Sequence, residues 1–192
     1  MTSMGLKLLI SDFDGTLVDT FEANYRAYEE AFKRVGLSLS REAYHSCFGF
    51  RFERFMAAME IYDESVARNI KELKSQVYPD YFCHFRVNKV LLSFIRSFRA
   101  SGGFTAIAST ARKKNLLNAL QYIDVVTDFD LILAGEDVKK GKPSPEIYEN
   151  ILNKMGIAAC DALVFEDSMV GFQAAEAAGI KYIKVNNAFY GD

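Results

Sequence analysis

Charge of one sign, paired cysteines, internal repeats and long apolar runs are all missing from this sequence. Its 23 basic and 25 acidic residues leave a formal net charge of −2. No bulk field therefore favours nucleic acid or an anionic membrane as partner, and any attraction for anions must be local. The three cysteines, Cys47, Cys83 and Cys160, are odd in number and outside any CxxC or Cys/His ligand spacing. That argues against a disulfide framework and a zinc site, and predicts packing residues of a reducing compartment. No segment approaches the roughly 20 apolar residues of a membrane span. No N-terminal stretch joins a basic start to an apolar run and a small-residue cleavage site, so a cytoplasmic location is expected. Repeats and low-complexity segments are absent, which excludes a solenoid or a disordered tail.

What is present is the balance of a folded protein: 192 residues, 50% hydrophobic and 25% charged, long enough for one domain carrying a smaller insert. Leu6 to Ile10 is a short apolar run ending abruptly in Ser11-Asp12-Phe13-Asp14-Gly15-Thr16, as a buried strand does where it leaves a sheet. Phe21, Tyr25, Tyr28, Phe32 and Val35 then recur at helical spacing up to Gly36, predicting an amphipathic helix. The sequence stays helical in character to about Asn88, with Ser40 as a cap and no good strand run. From Val90 the texture alternates: helix to Arg99, strand Phe104 to Ala108, helix Asn115 to Gln121, strand Leu131 to Ala134, helix Pro145 to Met155, strand Ala162 to Phe165, helix Gly171 to Ala178, strand Tyr182 to Val185. Alternation of this kind predicts an α/β fold with a Rossmann-like parallel sheet. The expected division is a core of residues 1–18 plus 90–192, interrupted after its first strand by an all-helical unit over 19–89.

Ligands of open α/β sheets sit beyond the carboxyl ends of the strands. Gathered there are Asp12 and Asp14, then Ser109 and Thr110, then Lys142 after a short loop, then Glu166 and Asp167. Several carboxylates at one place raise one another's proton affinity unless a cation neutralises them. An all-oxygen set suits Mg²⁺, which takes one or two carboxylates, several waters and a substrate phosphate. A lysine and hydroxyls opposite would take the remaining phosphate oxygens.

Asp12-Phe13-Asp14-Gly15-Thr16-Leu17-Val18-Asp19, Ser109 after an apolar strand, Gly141-Lys142-Pro143-Ser144-Pro145, and Phe165-Glu166-Asp167-Ser168 with Gly171 and Ala174 to Gly179 follow one another along the chain. In that order they resemble the four motifs of the haloacid dehalogenase superfamily, closest to its phosphoglycolate-phosphatase-like and β-phosphoglucomutase-like branch. The helical insert lies where that branch carries its cap. The resemblance implies that Asp12 attacks phosphorus while Asp14 protonates the leaving oxygen and later activates water. It also implies Mg²⁺ held by Asp12, the Asp14 backbone carbonyl and Asp167, with Glu166 either a second ligand or an outer partner. Ser109, Thr110 and Lys142 would bind the phosphate; Pro143 biases Lys142 to an extended backbone, and Ser144 and Pro145 are expected to supply the cap and first turn of the following helix, holding the lysine in place. The substrate implied is a small phosphorylated metabolite, hydrolysed as a phosphomonoester through an aspartyl phosphate. An acid at Asp14 favours phosphate over a carbon–halogen bond as the target.

Outside the motifs the readings are plainer. Asp19 is either a further site acid or, the reading preferred, the cap or first-turn acid of a helix. His45 and His84 lack carboxylate neighbours in sequence and are assigned no catalysis. Arg51, two residues after Gly49 and in the region where this branch places a specificity loop, is either a leaving-group contact or a solvated helix arginine; Arg54 and Arg112 share that status. Two rival functions remain. One is a phosphosugar mutase, although Asn24 stands where such mutases usually carry a histidine. The other is a binding protein on the same fold that has lost turnover, against which the intact acid and lysine set speaks.

Overall fold

The computed structural model describes residues 5–186 and Tyr190. In chain order its elements are β1 (Leu8–Ser11), β2 (Val18–Asp19), α1 (Phe21–Arg34), α2 (Arg41–Cys47), α3 (Phe52–Ala58), α4 (Glu64–Val77), β3 (Arg86–Val87), α5 (Lys89–Ala100), β4 (Phe104–Ala108), α6 (Lys113–Tyr122), β5 (Leu131–Leu133), α7 (Glu146–Met155), β6 (Ala162–Glu166), α8 (Met169–Ala177) and β7 (Lys181–Lys184). They form two units, Met1–Asp19 with Arg86–Asp192, and Thr20–Phe85. Among the described residues no helix is long and apolar enough to cross a membrane.

The first unit is an α/β Rossmann-like fold on a five-stranded sheet in the order β5-β4-β1-β6-β7. All of its pairings are parallel. Every residue of β1 is buried, as expected of a central strand covered on both faces, which is why it reads as a continuous apolar run. Side chains alternate across the sheet. Leu8 and Ile10, Ala106 and Ala108, and Ala162 and Val164 therefore share one face, where they meet Ile147, Tyr148 and Ile151 of α7 and Ala174 and Ala175 of α8. Fully burying one such leucine or isoleucine contributes roughly 1.5–3 kcal/mol. The small alanines let the helices approach closely. The strand order reverses direction at β1, so the carboxyl ends of β1, β4 and β6 flank the crevice that such sheets use for ligands.

The second unit is helical. Tyr44 stacks edge-on against Phe55 with ring centres 5.6 Å apart, and both join Phe32, Leu39, Met56 and Ile70 in a core separate from the sheet. Ser40 caps α2 as expected, its hydroxyl accepting from the Ala43 N–H at 3.1 Å. The deepest stripe of α1 is Ala23, Ala27 and Ala31 with Phe32, while the aromatics Phe21, Tyr25 and Tyr28 are only partly buried. α1 packs against α4.

Two features were not anticipated. β2 pairs antiparallel with β3, Val18 opposite Val87 and Asp19 opposite Arg86, a two-residue ribbon too short to register as a strand pattern. Asp19 consequently sits in β2, 3.9 Å from Arg86, and Thr20 rather than Asp19 occupies the cap position of α1. Of the cysteines expected to be packing residues, only Cys47 is buried; Cys83 and Cys160 are exposed.

Candidate active site

Asp12 follows directly on β1, and its backbone N–H donates to the Phe165 carbonyl of β6 at 3.0 Å. That bond extends the parallel ladder by one residue and fixes where the acid leaves the sheet. The chain then turns tightly: the Gly15 N–H donates to the Val18 carbonyl at 2.8 Å, and the Val18 N–H to the Phe13 carbonyl at 3.0 Å. Gly15 is required twice. Its φ of +88° is in the left-handed region, and a Cβ there would lie 2.2 Å from Asp167 Oδ2, inside any van der Waals limit. Asp167 is thus drawn onto the turn, where the Thr16 hydroxyl donates to its Oδ1 at 2.9 Å.

Lys142 lies at the centre. Its Nζ donates to Asp12 Oδ1 at 2.6 Å, to Glu166 Oε1 at 2.5 Å and to the Ala108 carbonyl at 3.0 Å, so all three ammonium protons are placed. Its side chain is 2% exposed. Burial opposes the charge, but Asp12, Tyr148 and Glu166 outweigh it and hold the ammonium well above the usual lysine range. The other oxygen of Glu166, Oε2, accepts from the Asp167 N–H at 2.9 Å, the Ser168 N–H at 2.8 Å and the Ser168 hydroxyl at 3.0 Å. Both Glu166 oxygens therefore have partners within the protein. Ser109 is buried at the end of β4, its hydroxyl accepting from the Ala111 N–H at 3.1 Å and reaching Asp14 Oδ2 at 3.5 Å. Thr110 follows it, its carbonyl held against Gly135, where a Cβ would come within 2.5 Å.

The charge balance leaves this cluster short of a cation. Burial raises the proton affinity of Asp12 well above the usual aspartate range; Lys142 opposes that, and the charges of Glu166 and Asp167 reinforce it. Asp167 is pushed up to about 6, by burial first and the Glu166 charge second, against the hydrogen bond from Thr16. One ammonium faces two buried acids, Asp12 and Glu166, and the half-buried Asp167. Among the described residues no three acids, histidines or cysteines converge into a ready-made metal cage. A hard divalent ion that keeps most of its waters needs only one or two carboxylates, so the donor set fits magnesium rather than a fully protein-coordinated metal.

Several expectations change in detail. Ser144 was expected to cap α7; its hydroxyl accepts only a long 3.4 Å bond from the Glu146 N–H. The loop is tied instead by the Glu146 carboxylate, which accepts from the Lys139 and Lys140 N–H groups at 2.7 and 2.8 Å. The Lys142–Pro143 peptide is cis. Arg112 faces Glu136 at 3.8 Å. Arg51 lies in the helical unit at the cap position of α3, and Arg54 lies over the Phe50 ring at 3.8 Å. Thr16, Ser168 and Tyr148 were not singled out from the sequence. Thr16 and Ser168 stand inside the motifs, and their hydroxyls beside acids were the available signal. Tyr148, fully buried with Lys142 Nζ 5.3 Å from its ring centre, reads in sequence as one more apolar position of α7.

Comparison with known proteins supplies an independent line. The sequence model of the haloacid dehalogenase-like hydrolase family matches residues 9–185. The phosphorylated carbohydrates phosphatase of Thermotoga maritima is 29% identical over 93% of this chain and 84% of its own length. Protein CbbY of Rhodobacter capsulatus is 32% identical over 94% of this chain and 85% of its own length. Among solved structures, CbbY from Rhodobacter sphaeroides in complex with phosphate superposes with a TM-score of 0.86 at 24% identity, covering 97% of this chain and 88% of that one; at that identity the likeness speaks for the fold.

Proposed function

This chain belongs to the haloacid dehalogenase-like hydrolase family, and from that premise we propose that it is a magnesium-dependent phosphatase of small phosphorylated metabolites, working through an aspartyl phosphate on Asp12. The observation that carries this reading is the placement of Lys142 between Asp12 and Glu166 at the carboxyl ends of β1 and β6. It is a buried positive charge beside a buried acid that a phosphoryl group must approach. The Thermotoga relative's name favours a phosphorylated carbohydrate as the substrate class.

Asp12 attacks phosphorus and the ester P–O bond breaks, the leaving oxygen taking its proton from Asp14. Water then attacks the same phosphorus, the bond to Asp12 breaks, and Asp14 receives the water's proton. Lys142, with Ser109 and the Thr110 backbone, stabilises charge on the transferring group. Asp12, Asp167 and the Asp14 carbonyl would hold magnesium, which would supply positive charge between the attacking carboxylate and the phosphate. Glu166, with both oxygens engaged, is better suited to anchor Lys142 and orient the loop around the ion than to coordinate it. Arg51 is retained as a leaving-group contact, tested by a rise in KM for Arg51→Ala.

The test is release of inorganic phosphate from a panel of phosphomonoesters, sugar phosphates foremost, with Mg²⁺, with chelator, and with Asp12→Asn. Release that needs Mg²⁺ and Asp12 is expected. A wild type inactive on the whole panel removes the phosphatase reading, and an active Asp12→Asn removes the nucleophile. A mutase would release phosphate only slowly and would respond to a sugar bisphosphate.

A further inference from the structure

Among the described residues two buried side-chain hydroxyls have no hydrogen-bond partner, those of Tyr148 and Tyr190; Tyr148 lies on α7 beside Lys142, whereas Tyr190 belongs to the chain beyond β7 and to none of the four motifs. The Val185 N–H donates to the Glu166 carbonyl at 2.7 Å, so the chain leaving β7 runs alongside the end of β6 toward the same edge of the sheet. Beyond Asn186 the next described residue is Tyr190, only 9% exposed. Its hydroxyl oxygen is buried and has no hydrogen-bond partner among the described residues. The charges of Asp167, Asp19, Asp12 and Asp14 all act on it, after burial itself, and keep the phenol protonated well above its usual range. An unpaired buried donor costs about 1–3 kcal/mol. A buried donor that feels the charge of four carboxylates and bonds to none of them has its hydrogen bond left for a ligand oxygen.

We propose that Tyr190 is a ligand-contacting residue of this site, its hydroxyl donating a hydrogen bond to an oxygen of whatever occupies the Asp12–Asp14–Asp167 cluster. The inference rests on the phosphatase reading, which supplies two kinds of oxygen there, on a phosphoryl group or on the water shell of the cation. The chemistry required of the ligand is the same for both: an electron-rich oxygen within reach of a neutral phenol. The proposal gives the chain beyond β7 a role that none of the four motifs covers.

The test is Tyr190→Phe, which removes one oxygen and keeps the ring. Three quantities are measured on the intact chain by calorimetry: binding of Mg²⁺ alone, binding of inorganic phosphate in the presence of Mg²⁺, and the melting temperature without either. Loss of one hydrogen bond predicts about a 5- to 10-fold weaker binding in one arm, with a melting temperature equal to or above that of the wild type because an unpaired donor has gone. Weakening in the phosphate arm alone identifies a phosphoryl oxygen as acceptor. Weakening in the Mg²⁺ arm identifies the ion's water shell. Unchanged affinity in both arms, in a protein whose wild type binds both, overturns the proposal, as does a fall in melting temperature with affinities intact, the mark of a packing residue. A wild type that binds neither removes the phosphatase reading and this inference with it.

Discussion

Lys142 Nζ bridges Asp12 and Glu166, 2.6 Å from one carboxylate and 2.5 Å from the other. The two acids arrive on adjacent parallel strands, Ser11 pairing with Phe165 in register, so the sheet sets their separation and the lysine spans it. Glu166→Gln keeps the shape but removes the charge that holds the ammonium. It is expected to lower kcat on the order of 10- to 100-fold with little change in KM, the usual effect of losing an outer partner. Lys142→Met should cost on the order of 10²- to 10³-fold, as for loss of one donor to a developing charge. Steady-state kinetics on the best substrate checks both, and an equal effect of the two variants would refute the division of roles.

Two glycines separate backbone from site. At Gly171 a Cβ would lie 1.9 Å from Glu166 Oε1 and Cδ, whereas at Gly156, with φ +64°, it would meet nothing within 4 Å. Gly171→Ala is expected to displace the Glu166 carboxylate and to cost both activity and more than about 2 kcal/mol of stability. Gly156→Ala carries only the left-handed backbone penalty at the end of α7, about 1 kcal/mol, with activity kept. Urea denaturation and turnover measured side by side test the contrast.

The positions of these residues were legible in the sequence because each lies where an apolar strand stops, and strand ends share one edge of a parallel sheet. Asp12, Ser109, Glu166 and Asp167 could be placed that way from periodicity alone. The ribbon of β2 and β3 could not, since two residues per strand leave no alternation to detect and the pairing joins positions far apart in the chain. The partition of Glu166 between metal and lysine was equally hidden. It depends on which oxygen faces Ser168 and which faces Lys142, a matter of rotamer and packing that residue type does not encode. Tyr148 was concealed by its own hydrophobic body, which fits the helical stripe of α7 as well as a phenylalanine would.

Asp130 and its partners test the acid side of stability away from the site. Its carboxylate accepts from the Thr105 N–H at 2.9 Å and pairs with Arg99, and its proton affinity is lowered, burial being outweighed by Arg99 and Thr105. Depressed in the folded state, it contributes stability above the usual aspartate value of about 3.9 and loses it as pH falls through the lower folded value. Asp130→Asn should therefore be less stable than wild type at neutral pH, with the gap closing as pH falls below the usual aspartate value of about 3.9. Urea midpoints measured across that range check it, and a pH-independent gap would assign the loss to packing.

Asp167 has the opposite sign. In the folded, metal-free chain its carboxyl holds a proton up to about pH 6, whereas in the unfolded chain it releases it near about 3.9. Between those values the folded state binds more protons than the unfolded state, so stability falls as pH rises across the window and stays low above it. A shift from 3.8 to about 6 corresponds to roughly 2–3 kcal/mol. In chelator, Asp167→Asn, which keeps an oxygen for the Thr16 hydroxyl, should be more stable than wild type by about that amount at pH 7.5. The advantage should shrink as pH falls below about 6. Other acids with lowered proton affinity, Glu30 and Asp137 among them, lose stability toward low pH in both proteins, so the difference between variant and wild type is the quantity to follow. Added Mg²⁺ should then raise the melting temperature of the wild type and not that of the variant, because Asp167 is the proposed ligand of the ion. A variant less stable than wild type at pH 7.5 in chelator would mean that Asp167 serves the fold rather than the site.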